Sequence, residues 1–133
     1  MNETLAKLGK IGLIPVIKLD SPAEALPLGK ALVAGGLPVA EVTFRTEAAE
    51  ESIRILANEL PELVLTTTQA EAAAAAGARY VVTPGFNPRV VAHCLEMGLP
   101  VTPGVNSASQ IEEAIEMGLD VAKFFPAGPS GGT

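Results

Sequence analysis

The feature of this sequence that most constrains its fold is a junction that recurs along the chain. In each copy an alanine or methionine is followed by glycine and then by a short apolar run. Glycine is common just after a helix because that position needs a positive φ angle, and the runs have the length and the valine and aromatic content of strands. The junctions are Ala34-Gly35-Gly36, Ala76-Gly77, Met97-Gly98 and Met117-Gly118, and the runs are 39–44, 80–83, 101–105 and 121–125.

The spacing of these glycines predicts how many units the chain contains. Gly77, Gly98 and Gly118 are 21 and 20 residues apart, whereas Gly36 and Gly77 are 41 apart, about two such units. A further strand is therefore expected near residues 63–65, and an apolar run at 13–19 predicts another in front. Helix starts agree with this count, because Ser/Thr-x-x-Glu capping patterns or Asn-Pro stand before the helical stretches. These starts are at 21–24, 68–71, 87–88 and 109–112.

Six strands alternating with helices predict an α/β fold with a parallel sheet covered by helices. Open doubly wound sheets and (β/α)8 barrels both fit this alternation. The chain has no G-x-G-x-x-G or Walker A motif, which disfavours a nucleotide-binding fold. A complete barrel takes about 250 residues, so the 133 residues here would form one domain, 1–133, two units short of a barrel.

Composition excludes several classes of function. Fifteen acidic and nine basic side chains give a net charge of −6, which argues against a nucleic-acid or anionic-membrane partner. Cys94 and His93 are the sole residues of their types, so neither a disulfide framework nor a Cys- or His-rich metal site is expected. The sequence shows neither a signal peptide nor an apolar run of about 18 residues, and we expect a cytoplasmic protein.

The strand at 39–44 carries charge where a buried strand should have none. Alternation places Ala40, Val42 and Phe44 on one face and the polar residues on the other. In a barrel the apolar face would lie under the helices and the polar face would line the interior, near the strand end where such folds carry their catalytic groups. The polar residues are Glu41, Thr43 and Arg45.

Lys123 lies among apolar residues in the run 121–125, where we expect it mid-strand. Removal from water disfavours an ammonium ion, and a neutral amine condenses with a carbonyl to form a Schiff base. Glu41 could pair with this amine and move protons, and Arg45 offers a planar fork for a carboxylate or phosphate. These residue types suit a class I aldolase.

Structural interpretations of the same residues remain open from spacing alone. Lys123 could be an edge-strand residue whose stem packs and whose ammonium reaches water. Glu41 and Arg45 could form a structural ion pair. Lys18 is expected at a strand end in contact with solvent, and the Pro84-Gly85 and Pro103-Gly104 pairs are expected to end strands.

Three ordered segments resemble the 2-keto-3-deoxy-6-phosphogluconate (KDPG) aldolase family, also called the 4-hydroxy-2-oxoglutarate (KHG) aldolase family. The segments are Glu41-Val42-Thr43-Phe44-Arg45-Thr46, Thr83-Pro84-Gly85-Phe86-Asn87-Pro88 and Lys123-Phe124-Phe125-Pro126-Ala127. The resemblance implies a (β/α)8 TIM-barrel fold and a class I aldolase that needs no metal or other cofactor. It also implies a homotrimer that cleaves a phosphorylated keto acid to pyruvate and glyceraldehyde 3-phosphate. Related enzymes act on 4-hydroxy-2-oxoglutarate or the galactonate epimer, and a catalytically silent fragment is a further alternative.

Carried over to this sequence, the resemblance assigns roles to five residues. Lys123 would form the Schiff base with the substrate, and Glu41 would be the general acid and base. Arg45 would bind the carboxylate end of the substrate, and Pro84 and Phe125 would line the pocket.

The sequence departs from the family pattern in two places. The third-strand stretch G-A-G-T-V of the family is absent between Glu62 and Thr68, and strands seven and eight with their phosphate-binding loops are absent after Thr133. We therefore expect either a truncated chain or residues missing within 61–68. A barrel short of two units would have two open strand edges and a wet interior.

Overall fold

Strands and helices alternate along the computed structural model, which describes residues 2–67 and 70–132. The alternation and the strands expected near 13–19 and 63–65 are confirmed. The elements are α1 (Glu3–Ile11), β1 (Val16–Ile17), α2 (Ala25–Ala34), β2 (Val39–Val42), α3 (Ala49–Glu59), β3 (Val64–Thr67), α4 (Ala70–Ala76), β4 (Tyr80–Thr83), α5 (Pro88–Glu96), β5 (Val101–Val105), α6 (Ala108–Glu116) and β6 (Lys123–Phe124), with a 3₁₀ turn at Pro22–Glu24 before α2.

The strands form one parallel sheet in the order β1-β2-β3-β4-β5-β6. Each strand therefore pairs with its neighbours in sequence, as expected for successive βα units. Within the described part of the chain β1 and β6 do not pair with each other, so the curled sheet is open at two edges.

Apolar residues pack on both faces of the sheet, in two clusters. On the helix-covered face Ala40 and Val42 of β2 join Ile53 and Leu56 of α3. On the opposite face Val39 belongs to a second cluster that includes Leu8 of α1. The predicted alternation along β2 is confirmed, and Phe44 packs at the margin of the first cluster.

The predicted helix boundaries are confirmed in part. The junction glycines Gly36, Gly77, Gly98 and Gly118 have φ angles between 67° and 94°. Ser21 and Glu24 form the capping box, although the 3₁₀ turn comes first, and Asn87 caps α5 with Pro88 at its first position. The predicted start of α6 at 109 is wrong. The helix is capped two residues earlier by Ser107, whose hydroxyl accepts a hydrogen bond from the Gln110 N–H. The start predicted at Thr68 lies outside the described residues.

The N-terminal helix α1 has no counterpart among the sequence predictions. Asn2 caps it by accepting from the Thr4 N–H, and Gly12 ends it with a φ of 75°. Its residue Leu8 packs against the interior face of the sheet, next to Val39 and Tyr80. This helix therefore covers the face that the polar residues of β2 share.

The residue pair Pro103-Gly104 does not end a strand, contrary to prediction. Both residues lie inside β5, where Pro103 pairs with Thr83 of β4 and Gly104 pairs with Lys123 of β6. Across residues 2–67 and 70–132 no helix is long and apolar enough to cross a bilayer.

Candidate active site

Glu41 lies on the interior face of β2 and is buried, with 7% of its side chain exposed. It pairs in register with Thr66 of β3, which in turn pairs with Tyr80 of β4. Glu41 also lines a cavity of about 510 Å³ between the sheet and α1. The predicted interior position of this carboxylate is confirmed.

Lys123 lines the same cavity, and its Nζ atom lies 3.7 Å from Oε1 of Glu41. Its ammonium also lies 5.0 Å from the centre of the Phe125 ring, a cation–π distance. The prediction that Lys123 lies mid-strand is wrong. It is the first residue of β6, an edge strand, because Val121 and Ala122 do not pair with β5. Its side chain is 31% exposed, which agrees with the edge-strand alternative.

The pair of Lys123 and Glu41 joins a nucleophile to an acid and base. A neutral lysine amine attacks carbonyl carbon, and a carboxylate within reach of the same substrate atoms can accept and return protons. The Lys123 side chain is partly exposed, whereas the Glu41 carboxylate close to it is buried. This arrangement can support imine chemistry.

Arg45 lies apart from that pair. Its Nε donates to Oγ1 of Thr43 at 3.0 Å, and the Thr43 hydroxyl donates to the carbonyl of Ile17 at 2.9 Å. Among the described residues no hydrogen bond or ion pair joins Arg45 to Glu41, so the structural ion pair considered from sequence is wrong. Arg45 is exposed just after the carboxyl end of β2.

Lys18 follows β1 and forms an ion pair with Asp20 at 2.6 Å, with both side chains exposed. The solvent-contacting role expected for it is confirmed. Within the described ranges 2–67 and 70–132, no group of three or more His, Cys, Asp or Glu side chains could hold a metal ion.

Pro84 is exposed where β4 ends, and its backbone rests on Gly104. A Cβ atom at Gly104 would overlap the Pro84 carbonyl oxygen and lie 2.5 Å from the carbonyl carbon. The Thr83 hydroxyl fixes the same turn by donating to the Gly85 carbonyl at 2.8 Å. Gly104 also pairs with Lys123, so this glycine lies between the turn at Pro84 and the lysine.

We expect Gly104→Ala to lower the free energy of unfolding by about 1–3 kcal/mol, the usual cost of overpacking, because the obstructing atoms are backbone. Gly85→Ala, one residue from Pro84, is the matched control, since its Cβ would meet open space, and we expect a change within about 0.5 kcal/mol. Urea unfolding followed by circular dichroism measures both. Equal midpoints for the two variants would show that the turn does not depend on Gly104.

Tyr80 is a buried phenol on the interior face, in the row that contains Glu41 and Thr66. Burial raises the pKa of Tyr80 from 10.0 to about 12, and the Glu41 carboxylate adds to the rise. Thr66 lowers the Tyr80 pKa in part, although its buried Oγ1 forms no well-aligned hydrogen bond with a described residue. The phenol therefore stays protonated beside the carboxylate at neutral pH.

The raised pKa of Tyr80 makes stability depend on alkaline pH. The unfolded chain loses the phenolic proton first, so the stabilisation present below pH 10.0 is lost as the pH rises to about 12. The loss is on the order of 2–3 kcal/mol. Tyr80 is the only tyrosine and there is no tryptophan, so phenolate absorbance should titrate near pH 12 in the folded chain and near 10 in urea. In Tyr80→Phe the loss of stability between pH 10 and 12 should vanish. A phenol titration midpoint near pH 10 in the folded chain would contradict the raised pKa of Tyr80.

Sequence reasoning missed two residues of this site, Tyr80 and Gly104. Tyr80 had a usable signal, because alternation along β4 places it with Val82 on one face, and both line the cavity. Gly104 had a weaker one, since a Pro-Gly pair is more typical of a turn than of a strand. Their positions depend on strand register, which the sequence does not display.

The sequence and the fold of this chain are similar to those of known proteins. The sequence profile described as KDPG and KHG aldolase matches residues 4–133. The chain belongs to this aldolase family. The 2-dehydro-3-deoxy-phosphogluconate aldolase of Treponema pallidum is 50% identical over 132 residues, covering 95% of this chain and 63% of the relative. The enzyme of the same name from Haemophilus influenzae is 46% identical, with 98% and 65% covered.

A solved structure of the family shares the fold. The KDPG aldolase of Legionella pneumophila, with pyruvate captured as a covalent carbinolamine, is 37% identical with a TM-score of 0.85, covering 90% of this chain and 61% of that one. The predicted incomplete barrel of the (β/α)8 family is confirmed. The chain spans less than two thirds of the length of these relatives. Residues missing within 61–68 stay a prediction, because Thr68 lies outside the described residues.

Proposed function

We propose that the protein is a class I aldolase that cleaves 2-keto-3-deoxy-6-phosphogluconate to pyruvate and glyceraldehyde 3-phosphate. The observation that carries the proposal is the 3.7 Å separation of Lys123 Nζ and Glu41 Oε1 in one cavity. The family profile and the pyruvate carbinolamine in the Legionella enzyme support the same chemistry.

The proposed reaction begins with attack of the neutral Lys123 amine on the C2 carbonyl of the substrate. Loss of water gives an iminium ion, which accepts the electron pair of the C3–C4 bond when that bond breaks. Glu41 takes the proton of the C4 hydroxyl, and the aldehyde leaves. Glu41 then returns a proton to C3 of the enamine, and hydrolysis of the imine releases pyruvate and regenerates the amine.

Three further residues complete the proposed site. The exposed guanidinium of Arg45 binds the substrate carboxylate as a planar fork. The Phe125 ring lies against the Lys123 ammonium. Pro84 lies outside the described wall of the cavity and would contact the substrate where β4 ends. Because no hydrogen bond or ion pair joins Arg45 to Lys123 or Glu41 among the described residues, the substrate would connect Arg45 to that pair.

The experiment that tests the proposal is reduction with borohydride in the presence of pyruvate. We expect a stable adduct whose mass exceeds that of the chain by pyruvate minus one oxygen, located on Lys123 by fragmentation. An adduct spread over exposed lysines such as Lys30, or none on a folded sample, would overturn the proposal and favour a catalytically silent chain.

The second candidate is cleavage of 4-hydroxy-2-oxoglutarate, favoured by the family description, which names both substrates. Both substrates release pyruvate from the same imine, so the partner aldehyde distinguishes them. Product assays with glyceraldehyde 3-phosphate and glyoxylate in the synthesis direction compare the two directly. The galactonate epimer is distinguished by the stereochemistry of the product.

We further propose that the protein acts in the cytoplasm as a homotrimer. Exposed apolar side chains support association between copies, among them Leu95, Met97, Ile111 and Ile115 on and next to α5 and α6. Light scattering after size-exclusion chromatography tests the assembly, and a monomer at high concentration would contradict it.

A further inference from the structure

Three polar side chains form a row across the middle of the sheet, on its interior face. Glu41 of β2 pairs in register with Thr66 of β3, and Thr66 pairs with Tyr80 of β4. Register partners on neighbouring parallel strands share a face of the sheet, and the strands lie about 4.8 Å apart. All three residues are buried, and each of their strands is paired on both sides. The row therefore does not depend on the open edges of the sheet.

The hydroxyl of Thr66 lies at the centre of this row. It is fully buried, and its Oγ1 forms no well-aligned hydrogen bond with a described residue. Because a buried hydroxyl without a partner costs free energy, a small rotation of the side chain that supplies a partner is favoured. The neighbours along the row are a carboxylate and a phenol, and both can bond to a hydroxyl.

The chemistry of the three groups fixes the direction of the hydrogen bonds between them. An ionised carboxylate only accepts, whereas a hydroxyl donates once and also accepts. Glu41 must therefore accept from Thr66, and Thr66 must accept from the phenol of Tyr80. Burial, together with the charge of Glu41, raises the pKa of Tyr80 to about 12, so the phenol keeps the proton that it donates throughout the neutral range.

The charged groups that face the row are few. Among the described residues that line the adjoining cavity with Tyr80, Glu41 and Lys123 are the charged ones, and α1 covers the same face with apolar residues such as Leu8. Lys123 Nζ lies 3.7 Å from Oε1 of Glu41. A hydrogen bond from Thr66 would restrain the carboxylate from the side of β3 while Lys123 contacts it from the cavity.

We propose that Tyr80 is a positioning residue for Glu41 and acts through Thr66: the phenol donates to the Thr66 hydroxyl, and that hydroxyl donates to the Glu41 carboxylate. The two hydroxyls hold the carboxylate in the orientation in which it faces Lys123 and a substrate bound there. Neither hydroxyl exchanges a proton with the substrate. The inference rests on the proposed function for the role of Glu41 as acid and base.

The first test measures exchange of the pyruvate methyl protons with deuterated water by NMR. We expect Tyr80→Phe, which removes the phenol oxygen alone, to slow the exchange by about tenfold, because a displaced catalytic group loses rate on this scale. Thr66→Val should have a similar effect, and Thr66→Ser, which keeps the hydroxyl, should recover most of the rate. Borohydride capture of pyruvate and its half-saturating concentration should persist in all three variants. Exchange at the unaltered rate in Tyr80→Phe would overturn the proposal.

The single tyrosine gives a second readout that needs no activity. Its phenolate absorbance reports the titration of Tyr80 in the folded chain, since the sequence has no other tyrosine and no tryptophan. We expect the midpoint to move to lower pH in Glu41→Gln, which removes the carboxylate charge, and to higher pH in Thr66→Val, which removes the hydrogen bond. Glu50→Gln, exposed on α3, is the matched control and should not move it. An unchanged midpoint in Thr66→Val or in Glu41→Gln would overturn the proposal.

The outcomes separate this inference from the proposed function. A chain that captures pyruvate and exchanges its methyl protons equally fast with and without the phenol would retain the aldolase proposal and reject the positioning role. A chain that forms no pyruvate adduct, but whose phenol midpoints move as expected, would reject the aldolase proposal and retain the hydrogen-bonded row.

Discussion

We expect Lys123→Ala to abolish borohydride-dependent capture of pyruvate. The Lys123 amine lies 3.7 Å from the Glu41 carboxylate, and Lys123 lines the cavity. The ammonium of Lys18, in contrast, forms an ion pair with Asp20 at the surface. A missing nucleophile cannot be replaced by binding energy, so the loss should be complete rather than partial. Intact-mass measurement of the folded variant after reduction gives the answer.

The control for charge is Lys123→Arg, which keeps a cation beside Glu41 but removes an amine capable of imine formation. It guards against misfolding, because alanine at this position would leave the buried Glu41 carboxylate without its partner. Both variants should lack the adduct, and Lys30→Ala should keep it. An adduct that persists in Lys123→Arg would assign the Schiff base to another lysine.

The second large effect is expected for Glu41→Gln. The amide has nearly the shape of the carboxylate but cannot accept and return a proton, and such a group contributes about 10²–10⁴-fold to rate. We expect exchange of the pyruvate methyl protons with deuterated water, followed by NMR, to slow by about 100-fold or more. Capture of pyruvate by borohydride should persist, because Lys123 is intact.

Glu50→Gln is the matched control for this variant. Glu50 lies on α3, exposed, where it pairs with Arg54 at 2.7 Å, and its loss should leave proton exchange unchanged. If Glu41→Gln exchanged protons at the rate of the unaltered chain, Glu41 would not be the acid and base. Loss of imine capture together with exchange would instead point to a role in holding Lys123.

The repeat of helix, glycine and strand made the fold predictable, because each βα unit carries its own local signals. The glycines at the junctions have the positive φ angles that their positions predict, and the alternation along β2 places Ala40 and Val42 under the helices. The helix α1 was not predictable in this way, because it packs on the interior face and belongs to no repeat.

The candidate site was predictable as a set of residues but less so as a geometry. The types and order of Glu41, Arg45 and Lys123 indicated the chemistry, and the structure brings Glu41 and Lys123 together. The separation of Arg45 and the partial exposure of Lys123 depend on where strands end and which edges stay unpaired. Gly104 shows the same limit, because its importance arises from the backbone of Pro84, which follows the neighbouring strand β4.

The position of Lys123 on the last described strand makes the placement of its amine depend on a single neighbouring strand. Backbone groups on the outer side of β6 have no neighbouring strand within the described part of the chain. Lys123 is held by pairing with Gly104 of β5 alone among the described strands, so a shift of that backbone would carry the amine away from Glu41.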